Sequence, residues 1–232
     1  MRIAVYYAPE VNDPLWQLGC AWLGRDACTN HAVVQPNLPD LATNTRSPRR
    51  YGFHATLKAP VHLVSSLTEF EQDVAQLARQ FEPFTLPPLS VLAIQDFAAL
   101  VPLYSSAPLH ALADACVTQL DHHRLPEDSQ RQAERSSGLT PKAQAHLARW
   151  GYPFVLDQWQ FHMTLCNSGV TNPTLLTHAK RHFEEALNQP RQVISIATFI
   201  EDSPGAPLRL SKRFQLGQVA GHFANRQPEV IR

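Results

Sequence analysis

The amino-acid sequence predicts a pseudo-symmetric α+β fold with two lobes. The chain has 232 residues, of which 44% are hydrophobic and 17% are charged, so it is long enough for one large core or two small ones. Segments with the period of a strand alternate with segments that have the period of a helix. One pattern, Phe-His-x-Thr-Leu followed by a helix and two extended segments, occurs twice. Two copies of one supersecondary unit indicate two related lobes.

The first repeat opens with a predicted strand over residues 3–8. Asp13 is a typical helix N-cap and Pro14 suits the first helical position, so a helix is predicted to begin there. Gly24 is the expected end of this helix. Residues 31–50 are rich in Pro, Asn, Thr and Ser without a sustained period, which predicts a loop or a weakly structured connection.

The first copy of the repeated pattern lies in residues 51–57, where apolar residues alternate with His and Thr as in a half-buried strand. Residues 68–71 have the spacing of a capping box, and the apolar residues around them predict a helix. The proline-rich segment 83–88 is expected to end this helix. Residues 89–94 and 97–103 are then predicted to be extended.

A helical insertion over residues 104–158 separates the two repeats. A helix is predicted for residues 108–120 and another for residues 141–150, which Gly151 would end. Residues 121–138 are polar and predict an exposed connection. The sequence does not decide the role of this insertion.

The second repeat, residues 159–232, follows the order of the first, which occupies residues 1–103. Its predicted elements are a strand over 160–165, a helix opened by Asn172 and Pro173, and strands over 193–200 and 208–216. Leu67 and Leu175 each lie 13 residues after the histidine of their own repeat. The sequence thus predicts a single domain of 232 residues, built from two repeats and one insertion.

Composition and charge exclude several classes of protein. Twenty Lys and Arg balance 20 Asp and Glu, whereas a protein that wraps long nucleic acid gains affinity by neutralising phosphates. A small phosphorylated substrate is therefore the predicted partner, and long nucleic acid is not. No stretch reaches the roughly 20 apolar residues that cross a bilayer, and the N-terminus has no signal-peptide pattern, so a cytoplasmic location without membrane contact is predicted. The four cysteines form no C-x-x-C pair and are expected to be reduced.

The repeated motif carries the residues that are suited to chemistry. On a strand, His54 and Thr56 project to one face, and His162 and Thr164 do the same in the second repeat. Pseudo-symmetry would bring the two pairs across one cleft. A neutral imidazole can take a proton from an attacking water while a protonated one gives a proton to the leaving oxygen. Two such rings and two hydroxyls suit cleavage of a phosphodiester without a metal.

The two motifs resemble the paired H-x-[ST]-hydrophobic signatures of the two-histidine (2H) phosphoesterase superfamily. Their context, residues 50–52 before the first and 150–153 before the second, is similar to a bacterial branch associated with phosphonate metabolism, the DUF1045-like proteins. The resemblance covers nearly the whole chain. It implies a bilobal fold with antiparallel sheets that line a central cleft and helices outside. Two departures from the family pattern, the long segment 104–158 between the motifs and the absence of a large basic tract, disfavour RNA-sized substrates.

The same resemblance implies a metal-independent cyclic phosphodiesterase without a cofactor, acting on a 2′,3′-cyclic or related ribose cyclic phosphodiester in phosphonate or nucleotide metabolism. The catalytic residues it implies are His54, His162, Thr56 and Thr164. The sequence does not decide which histidine is the acid and which the base. It also leaves the substrate and the oligomeric state open.

Further candidates for substrate binding flank the motifs: Tyr51, Lys58, Arg50 and Tyr152. Lys58 has the strand parity of His54 and Thr56, which predicts a phosphate contact. Tyr51 would face away from His54 on a regular strand, although a bulge at Gly52 would redirect it. Other basic and aromatic residues weighed for the same roles are Arg49, Lys212, Arg213 and Trp150.

Alternatives to this interpretation also stay open. His178 and His182 have helical spacing for a metal, but no acidic residue follows His178 as in H-E-x-x-H, so exposed helix histidines are expected. His122 and His123 are adjacent and are not expected to share a helical face. The cleft could instead be a non-catalytic binding module for a phosphorylated metabolite, or the protein could ligate or trim RNA ends.

Overall fold

Nine strands form three antiparallel sheets in the residues that the structure describes, which are 1–94, 96–167 and 172–217 of a computed structural model. The strands are β1 (Arg2–Tyr7), β2 (Ala55–Val61), β3 (Phe84–Leu86), β4 (Leu89–Ile94), β5 (Phe97–Pro102), β6 (Met163–Cys166), β7 (Arg191–Val193), β8 (Ser195–Glu201) and β9 (Arg209–Gln215). One sheet has the order β2-β1-β8-β9, a second has β4-β5-β6, and β3 pairs with β7.

Helices connect these strands and cover the sheets. They are α1 (Pro14–Leu23), α2 (Leu41–Asn44), α3 (Arg46–Tyr51), α4 (Leu67–Ala78), α5 (Ala107–Gln119), α6 (Ser129–Ser136), α7 (Pro141–Trp150) and α8 (Pro173–Leu187). No helix among the described residues is both long and apolar enough to cross a membrane.

The two halves follow one order of elements and exchange strands. Each motif strand is followed by a helix, a short strand and a hairpin, which gives β2-α4-β3-β4-β5 and then β6-α8-β7-β8-β9. The short strands of the two halves pair antiparallel with each other, and Thr85 lies opposite Gln192 at the middle of the pairing. Each motif strand joins the sheet that contains the hairpin of the other half. The predicted α+β class with antiparallel sheets is therefore confirmed.

Local signals place most helix ends where the sequence predicts them. Asp13 accepts a hydrogen bond from the backbone N–H of Leu15, and Gly24 ends α1 in the left-handed conformation. Thr140 caps α7 and Asn172 caps α8 in the same way. Hydroxyl, carboxylate and amide oxygens satisfy the unpaired N–H groups of a first helical turn, and these contacts depend only on near neighbours.

The capping box of α4 lies two residues before its predicted position. Ser66 accepts from the backbone N–H of Glu69, and the Glu69 carboxylate accepts from the backbone N–H of Ser66. The prediction of a box over residues 68–71 is therefore wrong. Both Ser66 and Thr68 precede a glutamate by three residues. The helix therefore begins at Leu67, and Phe70 is buried on its inner face.

Segment 31–50, predicted as a loop, contains α2 and the start of α3. The carbonyl groups that end α3 accept from a buried guanidinium far away in sequence. Arg25 donates Nε to the carbonyl of Arg49 at 2.9 Å and Nη2 to the carbonyl of Arg50 at 3.0 Å. A helix end that is capped by a distant side chain leaves no local signal. The polar connection 121–138 likewise contains α6, which buries no residue and so shows no apolar period.

Both motif strands begin after their histidine. Residues 51–57 were expected to form one strand, but Tyr51 ends α3 and β2 begins at Ala55. Strand β6 similarly begins at Met163. The predicted strand over 193–200 is divided between β7 and β8. Residues 218–232 of the predicted second repeat lie outside the described residues.

The apolar faces of both motifs are buried in one core, as the alternation predicts. The buried residues are Phe53, Ala55, Leu57, Phe161, Met163 and Leu165. Phe53 stacks on Phe183 of α8 with 6.0 Å between the ring centroids. Trp22 of α1 donates its indole N–H to the carbonyl of Leu165 at 3.1 Å. Helices α1 and α8 thus support the strands from the side opposite the histidines.

Candidate active site

A sharp backbone turn before β2 sets the direction of His54. Gly52 has φ of 83°, and a Cβ there would lie 2.7 Å from the Cβ of Ala27, so glycine is needed at this position. The carbonyl of Gly52 accepts from Nδ1 of His54 at 2.9 Å. Since a carbonyl only accepts, the proton of the neutral ring lies on Nδ1. Nε2 is then free to take a proton, and it lies 3.3 Å from Oγ1 of Thr56.

His162 has the same support in the second repeat. Its Nδ1 donates to the carbonyl of Gln160 at 2.9 Å, again two residues before the histidine. The neutral ring therefore also presents an unprotonated Nε2. Its ring lies 5.4 Å from that of Phe97 on β5. Equivalent backbone contacts thus prepare both rings for proton transfer through the same nitrogen.

One cleft of about 580 Å³ contains both motif pairs. His54, Thr56, His162 and Thr164 all line it, each partly exposed. Its other lining residues are Arg2, Tyr6, Ser47, Pro48, Tyr51, Gly52, Ala59, Pro60, Phe97, Glu127, Arg135, Gly151, Tyr152 and Asn167. The structure therefore brings together the four residues that the repeated motif singled out.

An aromatic wall encloses His54 on the sheet side. The ring of Tyr6 stacks on His54 with 3.7 Å between centroids, and Phe199 lies 6.2 Å away. The pKa of His54 is lowered to about 4, mainly by burial; the hydrogen bond to the Gly52 carbonyl opposes this effect and the charge of a protonated His162 adds to it. His54 is therefore neutral at pH 7, with Nε2 facing the cleft.

This lowered pKa makes stability depend on pH in a defined direction. The folded chain holds His54 with a pKa of about 4, below the roughly 6.5 of a histidine in an unfolded chain. Between these values the unfolded state binds a proton that the folded state does not, so stability falls as pH falls through this window. We expect the urea midpoint to drop more between about pH 7 and about pH 4.5 in the natural protein than in a His54→Gln variant. Equal drops would contradict the burial of a neutral ring.

The two tyrosine candidates lie at the cleft. Tyr51 is the last residue of α3, and its ring centroid lies 6.4 Å from that of His54. The helix end at Gly52, rather than a strand bulge, redirects Tyr51 toward the histidine. Tyr152 lines both the cleft and an adjoining, more apolar cavity of about 410 Å³. The second cavity extends from His162 toward Trp159.

Lys58 does not line the cleft, which corrects its predicted phosphate contact. Tyr6 pairs with Thr56 but Val5 pairs with Lys58, so the strand bulges at Leu57. One extra residue reverses the parity, and Lys58 turns to the buried side. Its Nζ donates to the carbonyl of Val117 at 3.2 Å. Burial lowers the pKa of Lys58 to about 8, although the nearby Asp121 carboxylate favours the charged form.

Replacing this lysine tests the correction. Lys58→Met keeps the length of the side chain and removes a buried charge, while the Asp121 carboxylate near it keeps its ion pairs with Arg124 and Arg149 and is not left unpaired. We expect kcat/KM within about twofold of the natural value and an unfolding free energy that does not fall by more than about 1 kcal/mol. Urea unfolding and steady-state kinetics measure both, with Arg135→Met in the cleft as the matched control. A large rise in KM for Lys58→Met would contradict this correction and support the predicted contact between Lys58 and a phosphate.

Arg50 is engaged outside the cleft lining, which corrects its predicted role. Its guanidinium forms an ion pair with Glu201 and donates to the carbonyl of Ala206 at 3.3 Å. Glu201 is buried, also pairs with Arg2, and accepts from the N–H of Gly205 at 2.9 Å. The hydrogen bond from Arg2 is the main cause that lowers the pKa of Glu201 to about 2. Arg50 therefore anchors the loop after β8.

The remaining basic and aromatic candidates also make structural contacts. Arg49 donates to the carbonyl of Leu23 at 2.6 Å, and Arg213 donates to the carbonyls of Ala8 and Pro9. Trp150 packs under the guanidinium of Arg149 at 4.0 Å. Lys212 lies 3.9 Å from Glu71. None of these four is a lining residue of the described cleft.

Several residues that line the cleft were not predicted from the sequence. Arg2 and Arg135 bring positive charge to the cleft, and Tyr6 supplies the ring that stacks on His54. Arg2 and Tyr6 share the parity of β1, so the pairing of Tyr6 with Thr56 places both on the histidine side. That pairing is not visible in the local sequence. Arg135 lies on α6, in the segment that was expected to be an exposed connection.

One three-ligand cluster among the described residues has metal-binding geometry, and it does not line the cleft. It consists of Asp73, His122 and His123. The two histidines are adjacent in sequence, yet both rings face the Asp73 carboxylate from the 3-10 turn Asp121–His123. His182, expected to be exposed, is half-buried: its Nε2 lies 3.0 Å from the carbonyl of Leu18.

Comparison with known proteins identifies the family. A protein-family model described as "Protein of unknown function (DUF1045)" matches residues 56–209, more than half of the chain. The chain belongs to the DUF1045 family. This match confirms the branch that the context of the two motifs indicated.

Two curated relatives of this DUF1045 chain carry the name ribose 1,5-bisphosphate phosphokinase PhnN. The protein from Laribacter hongkongensis (strain HLHK9) is 38% identical over 218 residues, which are 91% of this chain and 51% of that protein. The protein from Janthinobacterium sp. (strain Marseille) is 34% identical over 222 residues, 89% of this chain and 49% of that protein. The chain thus spans about half the length of the curated relatives it matches.

The solved structures that resemble this chain are more distant in sequence. The crystal structure of E. coli LigT complexed with 3′-AMP is 16% identical with a TM-score of 0.48, and covers 94% of this chain and 98% of that one. The apo form of LigT is 16% identical with a TM-score of 0.46 over the same shares. The family assignment rests on the sequence match and not on these structures.

Proposed function

We propose that this protein hydrolyses a cyclic phosphodiester of a phosphorylated ribose or a nucleotide. One observation carries the proposal: two histidines share a cleft, and each has Nδ1 bonded to the carbonyl two residues before it. Both Nε2 atoms are thereby left for proton transfer, and a threonine hydroxyl accompanies each ring. A base and an acid of one residue type, beside hydroxyl donors, suit the in-line displacement at a phosphorus atom.

The proposed roles follow from the different surroundings of the two rings. His54 is neutral because burial lowers its pKa to about 4, so its Nε2 takes a proton from the attacking water. His162 is the other imidazole of the cleft, and its Nδ1 contact with the carbonyl of Gln160 is exposed, so we assign it the role of the acid. His162 then gives its Nε2 proton to the departing ribose oxygen. The new P–O bond forms from water as the ester P–O bond breaks, which leaves a phosphomonoester and a free hydroxyl.

The threonines and the cleft cations complete the proposed site. Thr56 and Thr164 would donate hydroxyl hydrogens to the non-bridging phosphate oxygens, whose charge grows as the bond to water forms. Arg2 and Arg135 are the lining cations, and each is already paired with a carboxylate, Arg2 with Glu201 and Arg135 with Glu127. A second anionic group of the substrate would compete with these carboxylates for the two guanidinium groups.

The names of the relatives suggest which cyclic ester to test first. Those relatives are about twice as long as this chain and are named for a kinase of ribose 1,5-bisphosphate. Opening a ribose 1,2-cyclic phosphate that carries a 5-phosphate leaves ribose 1,5-bisphosphate if the bond to O2 breaks. The reaction proposed here would then supply the compound that the named kinase activity uses.

A phosphorus NMR screen tests the proposal. The natural protein is incubated with 2′,3′-cyclic nucleotides, ADP-ribose cyclic phosphate, and ribosyl 1,2-cyclic phosphate with and without a 5-phosphate. The His54→Ala protein is the blank, and each reaction is repeated in excess EDTA. We expect conversion of one class to a phosphomonoester, with EDTA making no difference to the rate. Tight binding measured by calorimetry, without turnover of any compound, would contradict the proposed hydrolysis and indicate a non-catalytic binding module instead.

A further inference from the structure

We infer that Asp73, His122 and His123 form a binding site for one divalent transition-metal ion, outside the catalytic cleft. The Nε2 atoms of both histidines converge on the same carboxylate oxygen, Oδ2 of Asp73, at 3.1 Å and 2.9 Å. All three ligand atoms lie within 4.8 Å of one another. One ion can therefore contact two imidazole nitrogens and one carboxylate oxygen with little movement of the side chains.

Hydrogen bonds to the far side of each ring hold the two histidines in this orientation. Nδ1 of His122 donates to the carbonyl of Gln119 at 3.0 Å, and Nδ1 of His123 lies 2.6 Å from Oγ of Ser65. A histidine that ligates a metal through Nε2 commonly has an oxygen partner at Nδ1, which fixes the tautomer and the ring direction. Both histidines of the cluster have that second contact already.

The donor and acceptor pattern at His122 is compatible with a metal ion at Nε2. Its Nδ1 faces a carbonyl oxygen and its Nε2 faces a carboxylate oxygen, so both nitrogens face acceptors. A neutral imidazole has only one N–H and cannot satisfy both. A metal ion bound at Nε2 satisfies them with a neutral ring.

The cluster rests on a rigid frame. Asp73 lies on α4, and the histidines end a single 3-10 turn, Asp121–His123. Backbone bonds join this turn to the chain before α4, with the carbonyl of His123 accepting from Val64 at 2.9 Å. His123 is buried, while the side chain of His122 is 62% exposed and that of Asp73 is 41% exposed. Three ligands from a fixed frame would leave one side of the ion open to water.

The donor set selects the kind of ion. Two imidazole nitrogens with one carboxylate suit Zn²⁺, Co²⁺ or Ni²⁺, whereas Mg²⁺ and Ca²⁺ prefer oxygen ligands alone. Because the three residues do not line the cleft, the ion would join α4 of the first repeat to the inserted segment. It is therefore a stabilising cross-link and takes no part in the proposed hydrolysis.

Titration with Co²⁺, which absorbs visible light when bound to nitrogen ligands, tests the site on the full chain. The metal-free natural protein is compared with His122→Ala and Asp73→Asn, which remove exposed ligands, and with Ser65→Ala, which removes only the contact to Nδ1. His146→Ala is the matched control, because His146 pairs with Asp157 at 2.9 Å without a second histidine. Circular dichroism of each metal-free variant confirms folding before titration.

We expect one Co²⁺ per chain, displaced by Zn²⁺, in the natural protein and in His146→Ala. Loss of a ligand should weaken binding by at least about 100-fold, and Ser65→Ala should weaken it by about 10- to 100-fold. Zn²⁺ should raise the thermal midpoint of the natural protein and not that of His122→Ala. Equal Co²⁺ affinity in the natural protein and His122→Ala, or no binding at one ion per chain, would overturn the site.

Discussion

Replacing either His54 or His162 with Ala is expected to lower kcat for the cyclic substrate by about 10² to 10⁴, while the fold is retained. Each ring performs one proton transfer through its Nε2 atom. In an alanine variant only water can transfer that proton, and water is not held in a fixed position. Both side chains are partly exposed in the cleft, so their loss leaves no large cavity in the core. Steady-state kinetics with circular dichroism measures the two effects separately, and His146→Ala, outside the cleft, is the control.

The pH dependence of the variants distinguishes the two proposed roles. The natural protein should show a bell-shaped profile whose apparent pKa values belong to the coupled pair. His54→Ala should lose the acidic limb, because the base that must be unprotonated is gone, and His162→Ala should lose the alkaline limb. The double variant should be about as slow as either single variant, since both transfers belong to one step. Full activity in both single variants would end the proposal.

Local sequence signals predicted most of the fold and the four motif residues at the centre of the site. The alternation in both motifs places Phe53 and Met163 in the core and leaves the histidines facing the cleft, although each strand begins later than predicted. Helix caps at Asp13 and Asn172 act on residues two or three positions away. Such signals are complete within a few residues, so the sequence shows them directly.

The features that the sequence did not show depend on contacts between distant residues. Arg25 caps α3 from 24 positions away, and the bulge in β2 becomes visible only from its pairing with β1. That bulge turned Lys58 away from the cleft. His123 contacts Asp73, which lies 50 positions away in the sequence. Two adjacent histidines in a polar segment therefore gave no indication that both would face one carboxylate. Pairings of this kind are set by the tertiary fold, which local patterns do not contain.

The second large effect is expected for a substitution at Gly19, in the middle of α1. This position lies behind the residues that support His54. Replacing a helical glycine with alanine ordinarily favours the helix by roughly 0.5 to 1 kcal/mol. A Cβ on Gly19, however, would lie 2.5 Å from Cε1 of Phe53 and closer still to two other atoms of that ring. Phe53 is fully buried and stacks on Phe183, so its ring has no room to retreat. We expect Gly19→Ala to lower the unfolding free energy by about 1 to 3 kcal/mol, measured by urea unfolding.

A double variant separates overlap with Phe53 from any effect on the helix alone. Phe53→Leu shortens the side chain at the point of overlap, so Gly19→Ala with Phe53→Leu should be at least about 1 kcal/mol more stable than the sum of the two single changes. Because Phe53 immediately precedes His54, Gly19→Ala should also lower kcat by displacing the ring of the base. A stabilised Gly19→Ala protein, or strictly additive changes, would mean that Phe53 does not pack against α1 at this point. The position of the proposed base would then need a different support.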